Sequence, residues 1–441
     1  MKHSLIILSL IFGFSCLAVF AGISQPVFPS SKKGKAKLKV KEVDMTPSLA
    51  SELSYTNILV LVYSNAPAQV VLGPMIMEGK FNKKTGEAKG WKYKEKTKDP
   101  KFKLGAKVVA KKESFKLKVS DTLPDAVLIY VPGKAAVKNE MVTIPAGSFF
   151  MGSSNTYFIS DSMELPVHQV TISEFMIETF EVSNGQMCRV LQWAYDNNKL
   201  VASPTVLKNA SGDQQTLINL ANYASDIKFE NGRFYAKDCR DGYPCSVATW
   251  YGALAYCNYK SEMEGLQPCV NFTDWSCDFS KTGYRLPTEA EWEKAARGGL
   301  TAQWYPWPGS GGNYEDHIDG SKANYFQSTG PYNSEVSVCG YYNGTQIPAG
   351  TDMANGYGLY DMAGNLEEWC WDWFKWEYYK DPSSTQADTT GPVQDGTLQY
   401  KVVRGGRWGD QKHFLRCAAR NDVSPDSSAY RGVGFRCVRR P

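Results

Sequence analysis

Close to its C-terminus the chain reads VVRGGRWGDQKHFLRCAARNDVSPDSSAYRGVGFRC, from Val402 to Cys437. Two adjacent glycines open onto a polar loop with one imidazole, His413, and the loop runs into a thiol, Cys417. A thiol among guanidinium groups and an imidazole is a setting in which a thiolate can become a nucleophile or a soft-metal ligand. One imidazole and one thiol are too few for a tight iron or copper site, so His413 reads first as a solvated loop residue and Cys417 as a structural thiol. They are the two candidate catalytic side chains of the loop. The eleven cysteines and four histidines of the chain include no C-x-x-C pair and no Cys/His metal spacing, which argues against zinc.

The elements that must position this loop follow from composition. A chain of 441 residues suggests two domains. Residues 1–21, MKHSLIILSLIFGFSCLAVFA, have a basic start, an apolar run and small residues at the end, and read as a secretory signal peptide. No other long apolar run follows, so no transmembrane segment is expected and the mature chain should be secreted or periplasmic. Gly13-Phe14-Ser15 before Cys16 is a poor lipobox, which leaves a lipid-anchored envelope protein as the lesser alternative. Removing Cys16 leaves ten cysteines, an even number that suits disulfides in an oxidising compartment. Cys239 with Cys245 and Cys269 with Cys277 are candidate short-range staples, with buried free thiols as the other reading.

Residues 22–138 hold 23 lysines, no arginine and ten acids, whereas the remainder is acidic. Alternating stretches such as FKLKVS and KYKEK, and apolar runs such as TNILVLVYS and AVLIYVPG, predict a small antiparallel β-domain. Lysines on alternate strand positions are ordinarily a solvated face. A polyanionic surface or glycan is a possible partner, and nucleic acid is not expected in a secreted protein. Residues 139–441 are rich in Trp, Tyr and Gly and show two helices. SVATWYGALAYCNYKSEMEG has Ser246 as its expected N-cap, and PTEAEWEKAARGG carries a Thr288/Glu291 capping box and a Gly298 stop. The rest reads as short strands and long loops, an α+β domain low in regular structure.

MVTIPAGSFFMGS, ELPVHQVTISEFMIETFEVSN, GYRLPTEAEWEKAARGG, NGYGLYDMAGNLEEWCWDWF and the C-terminal stretch resemble, in this order, the formylglycine-generating enzyme (sulfatase-modifying factor) family. The resemblance runs from about Met141 to Arg440 and implies a compact fold related to C-type lectins. It also implies, for active members, oxidation of a sulfatase cysteine to formylglycine with oxygen and copper held by two cysteine thiolates. Those two cysteines belong between the RGG turn and the cysteine of CAAR. Here that interval is RWGDQKHFL, without any cysteine, and Arg407 replaces the usual small hydroxyl. Copper is therefore not expected. Related sulfoxide synthases take iron through histidines of an additional helical domain, but this chain has no histidine between His3 and His168.

The resemblance further implies a disulfide between Cys257 and Cys437, closing a loop of about 180 residues and contributing about 4–5 kcal/mol in the chain-entropy picture. A second family bridge would join Cys417 to the position of Ala296, so Cys417 lacks that partner. A structural calcium site is implied at Asp361, the carbonyls of Gly364 and Leu366, and Glu368, hard oxygen ligands from one compact turn. A second site would begin with Asn324 and the Tyr325 carbonyl, with no acid in register to complete it.

The reading that follows is a secreted or periplasmic domain of this fold, used to bind or scaffold an extended peptide, a glycan or an envelope protein. The alternative is an oxidoreductase of the formylglycine-generating type, or another oxygen-dependent enzyme. AQWYPWPG and WCWDWFKWEYY offer aromatic surface for a ligand, although most such rings belong to a core.

Overall fold

The computed structural model describes eight strands within residues 35–130, and residues 139–441 apart from 155–158, 238–239, 310–316, 329–331, 333–334, 345, 347–349 and 428–431. Residues 1–21, expected to be a signal peptide, and Cys239 lie outside the described residues. Contacts divide the chain into two compact units, Met1–Val137 and Lys138–Pro441.

The first unit is all antiparallel. Its strands are β1 (Lys35–Val40), β2 (Ile58–Tyr63), β3 (Val70–Met75), β4 (Glu78–Phe81), β5 (Ala88–Lys96), β6 (Lys103–Val109), β7 (Ser114–Ser120) and β8 (Ala126–Tyr130). They form a five-stranded sheet in the order β1-β7-β6-β5-β4 and a three-stranded sheet in the order β3-β2-β8. Period-two lysine patterning thus marks strands: Leu38 pairs with Leu117 and Lys37 with Lys118 across β1 and β7.

The second unit is α+β, with three helices and many small sheets among its described residues. Its strands begin with β9 (Met141–Ile144), β10 (Gly147–Met151), β11 (His168–Ile172) and β12 (Phe175–Glu178). Next come β13 (Leu200–Ala202), β14 (Val206–Asn209), β15 (Thr216–Asn219), β16 (Ile227–Glu230), β17 (Arg233–Ala236) and the hairpin β18 (Val270–Asn271) with β19 (Ser276–Cys277). The last are β20 (Glu367–Trp373), β21 (Lys401–Arg404), β22 (Arg420–Val423), β23 (Val433–Gly434) and β24 (Val438–Arg439). A four-stranded sheet in the order β22-β21-β20-β23 carries the C-terminal loops, and β24 returns to pair with β12.

The helices are α1 (Asn184–Asp196), α2 (Trp250–Met263) and α3 (Glu289–Arg297). α3 has the expected reciprocal Thr288/Glu291 capping box and a left-handed Gly298 at its end. α2 corrects the expected Ser246 cap: Ala248 bridges Ile218 and the Thr249 amide donates to the Leu217 carbonyl, so helical turns start only after Thr249, whose side chain caps Gly252. α1 was not marked by its apolar spacing; its signal is a capping box, Ser183 with Gln186.

Buried ion pairs, rather than apolar contacts alone, fix α3 against the C-terminal strands. All nine residues of α3 are buried. Glu293 lies between Arg297, at 2.6 Å, and Arg404. Glu289 takes both Arg420, at 2.7 and 2.9 Å, and Arg404. Removing one partner from such a set strands the other charge, so each pair specifies where the next strand sits. Lys401 is enclosed similarly, its Nζ 3.9 Å from the Trp250 ring and 3.7 Å from that of Trp373 while donating to the Trp371 carbonyl at 2.9 Å. Much of the aromatic run in β20 is therefore core or cation shelter, with Trp376 beyond it 47% exposed.

Candidate functional site

The C-terminal loop is built on the end of β21. Gly405 and Gly406 take φ of 93° and 65°, which a side chain would strain, and reverse the chain. The Gly405 carbonyl accepts from Gly364 and the Asn365 carbonyl accepts from Trp408, both at 2.9 Å, so this turn and the Gly-Asn turn hold each other. Where a hydroxyl residue was the family expectation, the Arg407 amide and Nε donate to the Asp410 carboxylate at 3.2 and 3.1 Å. The Arg407 side chain lies against Gly432, where an added Cβ would stand 2.3 Å from its Cδ. A short 3-10 helix, Lys412–Leu415, follows. The His413 ring packs against Phe414 with centroids 4.0 Å apart, and its carbonyl accepts from Arg416. Cys417 is fully buried, and burial pushes its thiol up to about 12. A thiol so held is not a thiolate at neutral pH.

Below this loop stands a carboxyl group that sequence patterning passed over. Glu367 is buried, accepts from Asn421 Nδ2 at 2.6 Å, and donates its own amide to the Gly432 carbonyl. Burial first, then Asp410, raise its carboxyl to about 7, against the lowering effects of Asn421 and Arg407. Its only trace in sequence is the doubled acid of NLEEW.

The expected calcium residues converge in part. Asp361, at a left-handed φ of 57°, accepts the Gly340 amide at 2.5 Å. The turn brings in a further acid, Glu181, which accepts from the Leu366 amide at 3.2 Å and from Asn365 Nδ2 at 2.8 Å. Glu368 faces the other way electrostatically: Arg436 holds it at 2.7–3.0 Å and Trp292 Nε1 donates to it at 2.8 Å. Burial, Asp361 and Glu368 together raise Glu181 well above the carboxylate range, with Arg436 opposing; burial raises Asp361 to about 6. Three buried carboxyl groups, those of Glu181, Asp361 and Glu368, share one guanidinium, that of Arg436. Among the described residues no three acidic, His or Cys side chains are arranged to hold a metal. Asn324 is buried with Oδ1 lacking a hydrogen-bond partner, while its carbonyl receives the Asn365 amide at 2.9 Å. The adjoining Tyr325 is also buried. No cysteine lies between Arg404 and Cys417.

The Cys257 and Cys437 sulfurs face each other at 3.5 Å, both fully buried. Ala296 and Cys417 share one apolar cluster, so methyl replaces sulfur where the second family bridge would run.

Residues 130–441 match the model of the sulfatase-modifying factor enzyme 1-like domain. The formylglycine-generating enzyme of Thermomonospora curvata is 32% identical over 317 residues, covering 68% of this chain and 93% of that one. The serine/threonine-protein kinase pkn1 of Chlamydia pneumoniae is 32% identical over 70% of this chain, which spans only 39% of that protein. Among solved structures, Treponema denticola variable protein 1 is similar at 26% identity and a TM-score of 0.45, covering 68% of this chain and 95% of that one. With the motifs in register across the second unit, the chain belongs to the formylglycine-generating enzyme, or sulfatase-modifying factor, family.

Proposed function

We propose that the family domain of this chain is a calcium-stabilised binding or scaffolding module of a secreted or periplasmic protein, and that it does not make formylglycine. The observation that supports this reading is the loop between Arg404 and Cys417: its entrance is filled by the Arg407–Asp410 pair and its one flanking thiol is buried and protonated. Copper-dependent thiol oxidation needs two converging soft sulfurs, which this loop does not supply. The ligand chemistry favoured is an extended peptide, a glycan or an envelope protein, with the lysine-rich unit facing a polyanionic surface. The test loads the mature protein with Cu(I) without oxygen, then adds oxygen and a sulfatase-motif peptide. An unchanged peptide mass is expected, and conversion of the peptide cysteine to the aldehyde overturns the reading in favour of the oxidoreductase.

Calcium in this proposal is held by Asp361, Glu181 and the carbonyls of Gly364 and Leu366; Glu368, held by Arg436, stands behind them rather than as a ligand. Added Ca²⁺ raises the melting temperature of the chelator-treated protein, and Glu181→Gln removes the rise. A parent protein indifferent to Ca²⁺ defeats the calcium assignment.

A further inference from the structure

The register of the five-stranded sheet in the first unit sorts its residues by charge. Lys39 of β1 pairs with Lys116 of β7, Lys116 with Lys107 of β6, and Lys107 with Lys92 of β5. One strand parity therefore sets four lysines in a row across four adjacent strands, at cross-strand spacings of about 5 Å. Two residues along, Lys37 pairs with Lys118, and Lys94 stands in the same row beyond Gly105. In the next row Lys35 and Lys103 both pair with Ser120, and Lys103 pairs with Lys96. Among the described strands Glu78 of β4, opposite Lys92, is the acid that shares this parity. The other parity is apolar: Leu38, Leu117, Ala106 and Tyr93 form one of its rows, and Trp91 pairs with Val108 in another.

A face made only for water mixes charge signs, because opposite charges stabilise a cross-strand pair and like charges directly opposite destabilise it. Here every row sets lysine against lysine, and an external anion removes that repulsion. The array extends in two dimensions, so its counterpart is a surface of negative charge rather than one linear chain. Lysine is a hydrated point charge suited to a diffuse field, whereas discrete phosphate or sulfate groups are gripped by the arginine fork, and residues 22–138 contain no arginine. Trp91 and Tyr93, rings of the kind that stack on bases or sugars, take the opposite parity. We propose that the lysine face of the five-stranded sheet binds the anionic headgroup surface of a phospholipid bilayer, holding the protein at a membrane without inserting into it. This deepens the polyanionic-surface reading given above and rests on it.

The mature protein is sedimented with vesicles of phosphatidylcholine, pure or mixed with an equal amount of phosphatidylglycerol. Binding to the mixed vesicles alone is expected, with release as salt approaches about 1 M and the screening length falls to about 3 Å. Each lysine near an anionic bilayer is worth about fivefold in affinity, so Lys107→Gln with Lys116→Gln should weaken binding about 25-fold. Lys111→Gln with Lys112→Gln, between β6 and β7, removes the same charge and should weaken it less than about fivefold. A loss from the second pair as large as from the first, or equal binding to neutral and anionic vesicles, overturns the proposal. Retention on immobilised heparin without vesicle binding overturns the lipid assignment and keeps the polyanionic-surface reading; binding to neither defeats both. The vesicle and salt series of the unsubstituted protein decides the lipid assignment even if a variant does not fold.

Discussion

Arg436 is the residue on which the second unit's charge balance turns. It holds Glu368 through Nε and a terminal nitrogen, and also donates to the carbonyls of Glu178, Thr179 and Tyr360. Glu368→Ala leaves that guanidinium buried without its anion and is expected to lower stability by about 3–5 kcal/mol, even in chelator. A urea midpoint close to that of the parent would refute this. Asp372 gives a pH signature. Its Oδ2 accepts the Glu289 amide at 2.7 Å, but burial and the charge of Glu289 raise its carboxyl to about 8. The native state thus binds a proton more tightly than the unfolded chain, so this group's contribution falls as pH rises from about 4 through 8. Asp372→Asn keeps the acceptor and removes the titration: its melting temperature should gain on the parent's between pH 5 and 9, and parallel curves would contradict this. Motif resemblance picked out the turn acids Asp361 and Glu368 as candidates. It did not pick out Glu181, because that residue lies 184 positions from the Asn365 side chain it binds, and no local pattern encodes that meeting.

At the scale of elements, local chemistry was legible where the ends of a helix are made by side chains close in sequence. Thr288 accepts the Glu291 amide at 3.1 Å and Glu291 accepts the Thr288 amide at 2.9 Å, both within one turn. Thr288→Ala should cost about 1 kcal/mol, read as a shift of the urea midpoint, and no shift would show that tertiary ion pairs alone fix α3. The start of α2 was misread because a tertiary bridge at Ala248 competes with the helix, which a cap rule cannot see. Short strands such as β23 and β24, two residues each, carry no periodicity at all. They exist because β20 and β12 offer them partners, Glu367 to Val433 and Ile177 to Val438.

At the scale of the whole molecule, the change from a lysine-rich to an acidic composition marked two units of different architecture. The apolar clusters of the second unit are built from its own residues, so 138–441 produced alone should unfold cooperatively with a urea midpoint near that of the full chain. A fragment without near-ultraviolet dichroism would disprove its autonomy. No helix among the described residues is long and apolar enough to cross a membrane. The closing of β24 on β12, with Cys437 and Arg436 reaching back to residues near 178, bears on biosynthesis. Translation delivers these partners after β12 and β20: while they are still inside the ribosome, Glu178 and Glu368 are already made and have no counter-surface. The domain therefore completes its core only once residues 436–439 have emerged from the ribosome, and a domain lacking them loses its closing contacts.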